Sequence, residues 1–387
     1  MNSSPAKILN IAYLASFFYA LHYALTLYIE SSFLSQFFPE RIIGAIYVAG
    51  AVLSIIGAIN IPSFFARFGN YKVIIALVLA EIISLFSIAS TSAPAAALFL
   101  FILHQSLLTL IFISLNVFVE SVSSDASTGR TRGALLTIIN SAILFGPLVA
   151  GGFFEDSNFG TIFVLAAVFL IPVLILVAVN FKNYRDPAYT RVAFLETLMG
   201  IIRSKDVYRI VTIRFLLEFF YAVMVVYTPI YLNKYIGIPF SDILGIIMPI
   251  ALSPFVIFPY VLGGIADKKL GEKEILLLGI VIISVATMSL SFMVSASVMA
   301  WAVLLFITRI GASLIESMSD SYFFKHINAS ESGLIAFYSN LRSVALLVGP
   351  LFATMFLLVA DIRYMFLALG IITFWGLRHG LALKDTR

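Results

Sequence analysis

Apolar residues fill this chain in blocks of roughly 20, separated by short polar or charged stretches, from the first residues to the last. At a rise of about 1.5 Å per residue, a helical block of that length crosses the ~30 Å hydrocarbon layer of a bilayer. The pattern predicts twelve such helices: Ile8–Ile29, Ile42–Phe64, Tyr71–Ser90, Ala96–Val119, Ala134–Phe154, Gly160–Phe181, Tyr208–Leu232, Ile243–Gly263, Ile275–Val294, Val298–Ser319, Leu334–Val359 and Tyr364–Leu377. The first is full length and lacks a small-residue cleavage site, so it is expected to be a retained span and not a removable signal peptide.

Self-similarity sets the expected architecture. Phe17-Phe18-Tyr19-Ala20 in the first block returns as Phe219-Phe220-Tyr221-Ala222 in the seventh; Gly44 and Gly245 open the second and eighth; Gly146-Pro147 in the fifth returns as Gly349-Pro350 in the eleventh. All three matches lie at an offset of about 202 residues, so the chain is predicted to be two six-helix halves in direct repeat, 1–181 and 208–387. Between them, 182–207 is the longest loop and carries the densest basic cluster. Its Val192, Leu195, Leu198, Met199, Ile201 and Ile202 form an apolar face beside Arg191, Arg203 and Lys205, which fits either a helix lying on the membrane surface or a plain linker.

Composition agrees with an all-α membrane protein. Hydrophobic residues make up 61% of the chain and charged ones 11%, whereas soluble domains run near a quarter charged. The loop charges orient it. With the N-terminus in the cytoplasm, only Arg41, Lys234 and Arg363 of the 24 Lys and Arg residues fall outside, and Arg214, Arg309 and Arg342 fall within spans; the others all lie inside. Both termini are therefore expected to be cytoplasmic. The net charge of +4 follows from this bias and calls for no nucleic-acid partner. The chain has no cysteine and four scattered histidines without a carboxylate at ligand spacing, so no disulfide, metal or cofactor is expected.

Two six-helix halves joined by a basic linker resemble the major facilitator superfamily, whose signature is a Gly-x-Leu-Ala-Asp-Arg-x-Gly-Arg-Lys loop after the second helix of a half. In the second half, Gly263-Gly264-Ile265-Ala266-Asp267-Lys268-Lys269-Leu270-Gly271-Glu272-Lys273 follows that signature with one extra residue before Gly271. The first half keeps Arg67, Gly69 and Lys72 but has Ala66 where the aspartate belongs. A carboxylate beside Lys or Arg at a helix end suits an ion pair that holds one arrangement and releases it in another, so the resemblance implies a conformational switch here. In the fifth block Gly133, Ala142, Gly146, Pro147, Ala150 and Gly151 resemble the small-residue pattern of the family's exporters. Small residues admit close helix packing, which suits a sealing helix and also plain packing, as do Gly349 and Pro350.

Ionisable side chains in hydrocarbon cost roughly 2.5–3.5 kcal/mol each and so mark candidate sites. They are His22, Glu81, His104, Arg214, Glu218, Arg309, Glu316 and Arg342. The resemblance implies a cavity lined by the first, fourth, seventh and tenth helices, and all but Glu81 and Arg342 fall there. Arg309, Ser313, Glu316 and Asp320 lie in one stripe of the tenth helix at ~100° per residue. Arg214 and Glu218, four apart, can pair on one face. Glu218 reads either as a proton carrier or as half of a permanent ion pair. Arg309 could bind an anion, tune a carboxylate or hold Glu316. His22 and His104 titrate near neutral pH or serve as structural hydrogen-bonding groups. Glu81 is expected to pair with Arg342 or with a neighbour. Gln105, Tyr19, Tyr221, Tyr227 and Phe17 are candidate lining of a substrate site.

The expected function is secondary active transport of a small solute by alternating access, coupled to protons, with drug or metabolite efflux in exchange for protons as the leading reading. Uptake or facilitated diffusion of an organic anion or sugar derivative is the alternative. There is no Gly-x-x-x-x-Gly-Lys-Ser/Thr loop for ATP, no His-Glu-x-x-His or Gly-x-Ser-x-Gly of an intramembrane enzyme, and no repeated filter of a channel. The expected partners are lipid, a small-molecule substrate and the proton, in a prokaryotic inner membrane.

Overall fold

The computed structural model describes residues 5–121, 128–154, 158–184, 186, 204–258, 271–326, 334, 337–338 and 341–384, and helix is the only regular structure among them. That is what hydrocarbon demands, since a helix satisfies its own backbone hydrogen bonds. The elements are α1 (Pro5–Thr26), α2 (Glu30–Leu34), α3 (Glu40–Phe68), α4 (Asn70–Ser90), α5 (Pro94–Ser121), α6 (Thr128–Phe153) and α7 (Phe159–Asn180). They continue with α8 (Lys205–Ile230), running on as a π turn over Tyr231–Tyr235, and α9 (Phe240–Phe258), which contains a second π turn at Ile243–Ile247. After these come α10 (Glu272–Leu290), α11 (Val298–His326), α12 (Leu341–Phe356) and α13 (Ile362–Leu381). Ten described helices are long and apolar enough to cross a membrane, and Thr137–Phe153 and Leu341–Phe356 are shorter apolar helices.

The departure from the predicted bounds that most changes the interior lies at the end of the first span. α1 stops at Thr26, and the chain turns through Leu27–Ile29 before α2 restarts at Glu30. The turn carries Glu30, Ser31 and Ser32 into the protein, where all three are buried.

Packing divides the chain into two compact units, Met1–Pro39 with Ile46–Arg191, and Glu40–Ala45 with Val192–Arg387. Within the first, α1 packs on α5, α6 and α7, and α4 packs on α5 and α7. Within the second, α8 packs on α11, α12 and α13, and α10 packs on α11 and α13. The two units thus share one scheme of helix neighbours. In each, large apolar side chains such as Ile83, Phe99, Val179, Phe292 and Ile371 stay exposed, the faces a lipid-immersed helix presents.

Lipid offers apolar groups nothing to escape, so close backbone approach through small residues matters more than in water. A Cβ on Gly146 of α6 would lie 2.8 Å from the backbone carbon of Ala24 in α1, and one on Gly349 of α12 would lie 2.9 Å from the Ala222 Cβ in α8. α10 and α11 cross at Gly279 and Gly311, each standing against the other's carbonyl. Between α3 and α4 the chain reverses at Gly69, whose φ of +81° suits a residue without a Cβ. The Asp186 carboxylate then caps α4, accepting the Asn70 N–H at 2.9 Å.

Candidate functional site

Among the described residues, two clusters that join ionisable side chains of several helices interrupt the apolar interior, one in each unit. The cluster of the second unit is centred on Arg214 of α8. One turn on, Glu218 meets its guanidinium at 2.9 Å, while from α11 Glu316 and Asp320 reach it at 3.3 and 3.0 Å. The helical periods explain the convergence. Residues 214 and 218 share a face of α8, and 316 and 320 share a face of α11, so one crossing of two helices assembles four charges. Tyr221 donates to Glu316 at 3.1 Å and Tyr338 to Asp320 at 2.9 Å, with the Tyr338 ring 5.7 Å from the Arg214 guanidinium. Phe255 packs against Tyr221.

The cluster grades from dry to wet. The Glu218 side chain is 6% exposed and that of Arg214 14%, but Glu316 and Asp320 reach 33% and 37%. Among the described ion pairs one guanidinium faces three carboxylates, and a bound proton or a cation would offset the negative charge left over. Arg309 lies elsewhere on α11. It is buried, with its guanidinium 5.1 Å over the Phe220 ring, and Glu316 faces Arg214.

The cluster of the first unit is drier, and the sequence reading had met only its parts. His104 of α5 stands between two glutamates, its Nδ1 against Glu81 Oε1 of α4 and its Nε2 3.2 Å from Glu30 Oε1 of α2. His22 of α1 places Nε2 3.4 Å from Glu81 Oε1 and donates from Nδ1 to the Ala166 carbonyl at 3.3 Å. Thr26 and Gln105 donate to Glu30 at 2.8 and 2.6 Å, and Tyr47 at 3.4 Å. His22, Glu30, Glu81 and His104 are all at most 1% exposed. Tyr19 borders the cluster, its ring 6.0 Å from that of His22 and its hydroxyl donating to the Leu108 carbonyl at 2.6 Å.

Glu30 escaped the sequence reading because it stands one residue past an apolar run and looks there like a loop residue. The available signal was three polar residues, Glu30-Ser31-Ser32, before apolar character resumes. Of the two pairings expected for Glu81, the structure has the neighbours, His104 and His22, and Arg342 is exposed on α12.

The loop residues scatter. Gly263, Asp267 and Lys268 lie outside the described residues. Arg67 and Lys72 are exposed, Arg67 lying over the Phe68 ring. Gly271 precedes α10 as its N-cap, Lys273 donates to the Leu383 carbonyl at 2.8 Å, and Glu272 between them pairs with Lys325. Gly146, Pro147, Gly349 and Pro350 are buried and Gly151 half-buried.

The chain matches the sequence model of the Major Facilitator Superfamily over residues 11–344. Among solved structures it is similar to an auto-inhibited POT family peptide transporter, with a TM-score of 0.76, 11% identity and 98% of both chains covered. The nucleoside transporter NupG gives a TM-score of 0.74 at 13% identity, covering 99% of this chain and 100% of that one. A bacterial homologue of the human lysosomal transporter Spinster gives 0.72 at 11% identity, covering 98% of this chain and 94% of the other. Identities this low carry the fold alone. No curated protein matches the sequence.

Proposed function

Because this chain belongs to the Major Facilitator Superfamily and is a multi-pass membrane transporter of that type, we propose that it is a proton-coupled secondary transporter whose carboxylates around Arg214 exchange a proton as a small solute crosses. The observation that carries this reading is the ratio of one guanidinium to three carboxylates at a helix crossing inside the span region. Ionising all three at membrane depth leaves the cluster net negative, at a cost of several kcal/mol. A proton removes that cost. Alternating access then supplies the coupling, because opening the cluster to one side or the other changes the hydration of Glu218 and with it the hold on the proton.

The favoured direction is export of an apolar or cationic compound in exchange for protons. Its support is the acidic balance of the cluster, the Tyr221, Tyr338 and Phe255 rings, and the small residues of α6. Uptake of an organic anion or sugar derivative is the second reading and draws on the buried Arg309 guanidinium. Twelve spans in two six-helix halves, with both termini in a prokaryotic cytoplasm, complete the proposal; the loop-charge asymmetry and the recurring helix neighbours support it. Arg67, Gly69, Lys72, Gly271 and Lys273 are assigned to the switching loops with the motif residues Gly263, Asp267 and Lys268.

The test starts from thermal stability of the purified protein against a panel of sugars, organic anions and lipophilic cations, since a ligand of the folded state raises the midpoint. The stabilising compound is then followed in proteoliposomes under an imposed pH gradient. Gradient-driven accumulation that E218Q and E316Q reduce at least tenfold is the expected result. Accumulation that ignores the gradient removes the proton from the proposal, and stabilisation by anions that vanishes in R309A moves the substrate to the second reading.

A further inference from the structure

The membrane-embedded part of the first unit contains no Lys or Arg. None occurs in 8–40, 42–66, 73–129 or 133–181. Two glutamates are nevertheless buried there completely. No fixed cation of these stretches balances their charge, and the hydrogen-bond geometry places protons beside them.

His104 comes first. Both its ring nitrogens face carboxylate oxygens, Nδ1 towards Glu81 and Nε2 towards Glu30. A neutral imidazole has one N–H and cannot serve two acceptors, so a proton additional to the neutral ring is held along this line. Glu30 takes the charged end of it. Its Oε1 accepts from Thr26 and faces His104, and its Oε2 accepts from Gln105 and Tyr47, an environment of donors that suits a fixed carboxylate. Glu30 and His104 therefore form a neutral ion pair.

His22 and Glu81 are the second pair. The Ala166 carbonyl can only accept, so His22 Nδ1 carries a hydrogen. Its Nε2 then faces Glu81 Oε1 at 3.4 Å with a lone pair, acceptor against acceptor, unless a proton stands on one of them. Nε2 of His22 and Oε2 of Glu81 are also the two atoms of this quartet without a hydrogen-bond partner among the described residues. Around the quartet, α1 adds Tyr19, whose hydroxyl is spent on the Leu108 carbonyl, α2 and α3 bring Glu30 and Tyr47, α7 has no titratable residue, and α6 has only Arg130 and Arg132 near its start.

We propose that His22 and Glu81 hold one exchangeable proton between them, beside a fixed Glu30–His104 ion pair, and that this is a proton-binding site of the first unit separate from the Arg214 cluster. Its place in the transport cycle rests on the proton-coupled reading; the proton itself does not. On release, Glu81 is left as a carboxylate against Nε2 of neutral His22, and the proton leaves to water. On return it stands between His22 Nε2 and Glu81 Oε1, where the two acceptors face each other. With the Arg214 cluster this makes two proton sites per chain.

The test is solid-state or solution NMR of the full chain labelled with 15N-histidine. H326Q and H379Q together remove the two other histidines and leave the cluster untouched. Two ring signatures are then expected: one doubly protonated ring that does not change over about pH 5 to 8, and a second that changes once as pH rises. In E81Q the second ring should lose its change entirely while the first persists. Two pH-invariant neutral rings overturn the proposal, and so does a second ring that titrates unaltered in E81Q. Should E81Q fail to fold, infrared difference spectra of the unsubstituted chain decide. Loss of a buried protonated-carboxyl band with rising pH in both wild type and E218Q supports the site; a band lost only where Glu218 is present overturns it. Neither readout involves transport, so a failure of proton coupling at Arg214 would leave this site to stand or fall by itself.

Discussion

Arg214 and Glu218 lie one turn apart on α8 and meet at 2.9 Å, but Glu218 is only the driest of the three carboxylates that share this guanidinium. The arrangement makes Arg214 the counter-charge of a site and not one half of a simple helix pair.

Removing it should therefore be costly in a pH-dependent way. R214A leaves Glu218, Glu316 and Asp320 facing one another, with an expected loss of about 3–5 kcal/mol near neutral pH. Protonation of the carboxylates relieves the repulsion, so the loss should shrink as pH falls and grow as it rises. R214K keeps the charge but loses the fork that serves α8 and α11 together, and it should sit between the two. Thermal unfolding of the three proteins across pH reads this directly; a pH-independent deficit in R214A would mean that the side chain matters only for packing.

The crossing of α10 and α11 gives a purely steric prediction. A Cβ on Gly311 would stand 2.7 Å from the Gly279 carbonyl oxygen and 2.5 Å from the Ile283 nitrogen, both backbone atoms that cannot rotate away. G311V should push the helices apart and lower stability by about 1–3 kcal/mol or more. G245A makes the control, since nothing lies within 4 Å of the corresponding position. A melting temperature of G311V within a degree or so of the G245A value would contradict the crossing.

These cases also separate what was legible in the sequence from what was not. Hydrophobic block length found the spans because the bilayer imposes it, and the four-residue spacing of Arg214 and Glu218 announced a shared face. The meeting of α8 with α11 is tertiary, and no local pattern encodes that Glu316 turns to Arg214 while Arg309, seven residues earlier on the same stripe, is buried over Phe220. Glu30 failed for another reason. Its burial depends on a turn at Leu27–Ile29, and three apolar residues give hydropathy no reason to end a helix there.

Asp186 caps α4 from outside the loop that leads into it. The first-half loop has Ala66 where the family motif has its acid, and no side chain of that loop caps α4; the Asn70 N–H is met instead by Asp186 from beyond α7. D186A should cost about 1 kcal/mol, within the range of lost caps. D186N should recover most of it, because the amide oxygen still accepts. Melting temperatures of the pair provide the check: equal deficits would point to charge and not to capping.

The two glutamates of the first unit should respond in opposite ways to the same substitution. Glu30 is surrounded by donors from Thr26, Tyr47, His104 and Gln105. In E30Q one oxygen becomes an NH2 that points at donors, and the His104 charge loses its partner. Each unmet buried donor costs about 1–3 kcal/mol, so a loss of roughly 2–4 kcal/mol is expected. Glu81 has a free Oε2 among the described residues, and glutamine there resembles the protonated acid. E81Q should accordingly lose less than about 1 kcal/mol. Thermal unfolding of the two variants side by side at neutral pH gives the order. If E81Q proved the less stable, Glu81 would be the fixed anion, and the exchangeable proton would have to belong to Glu30.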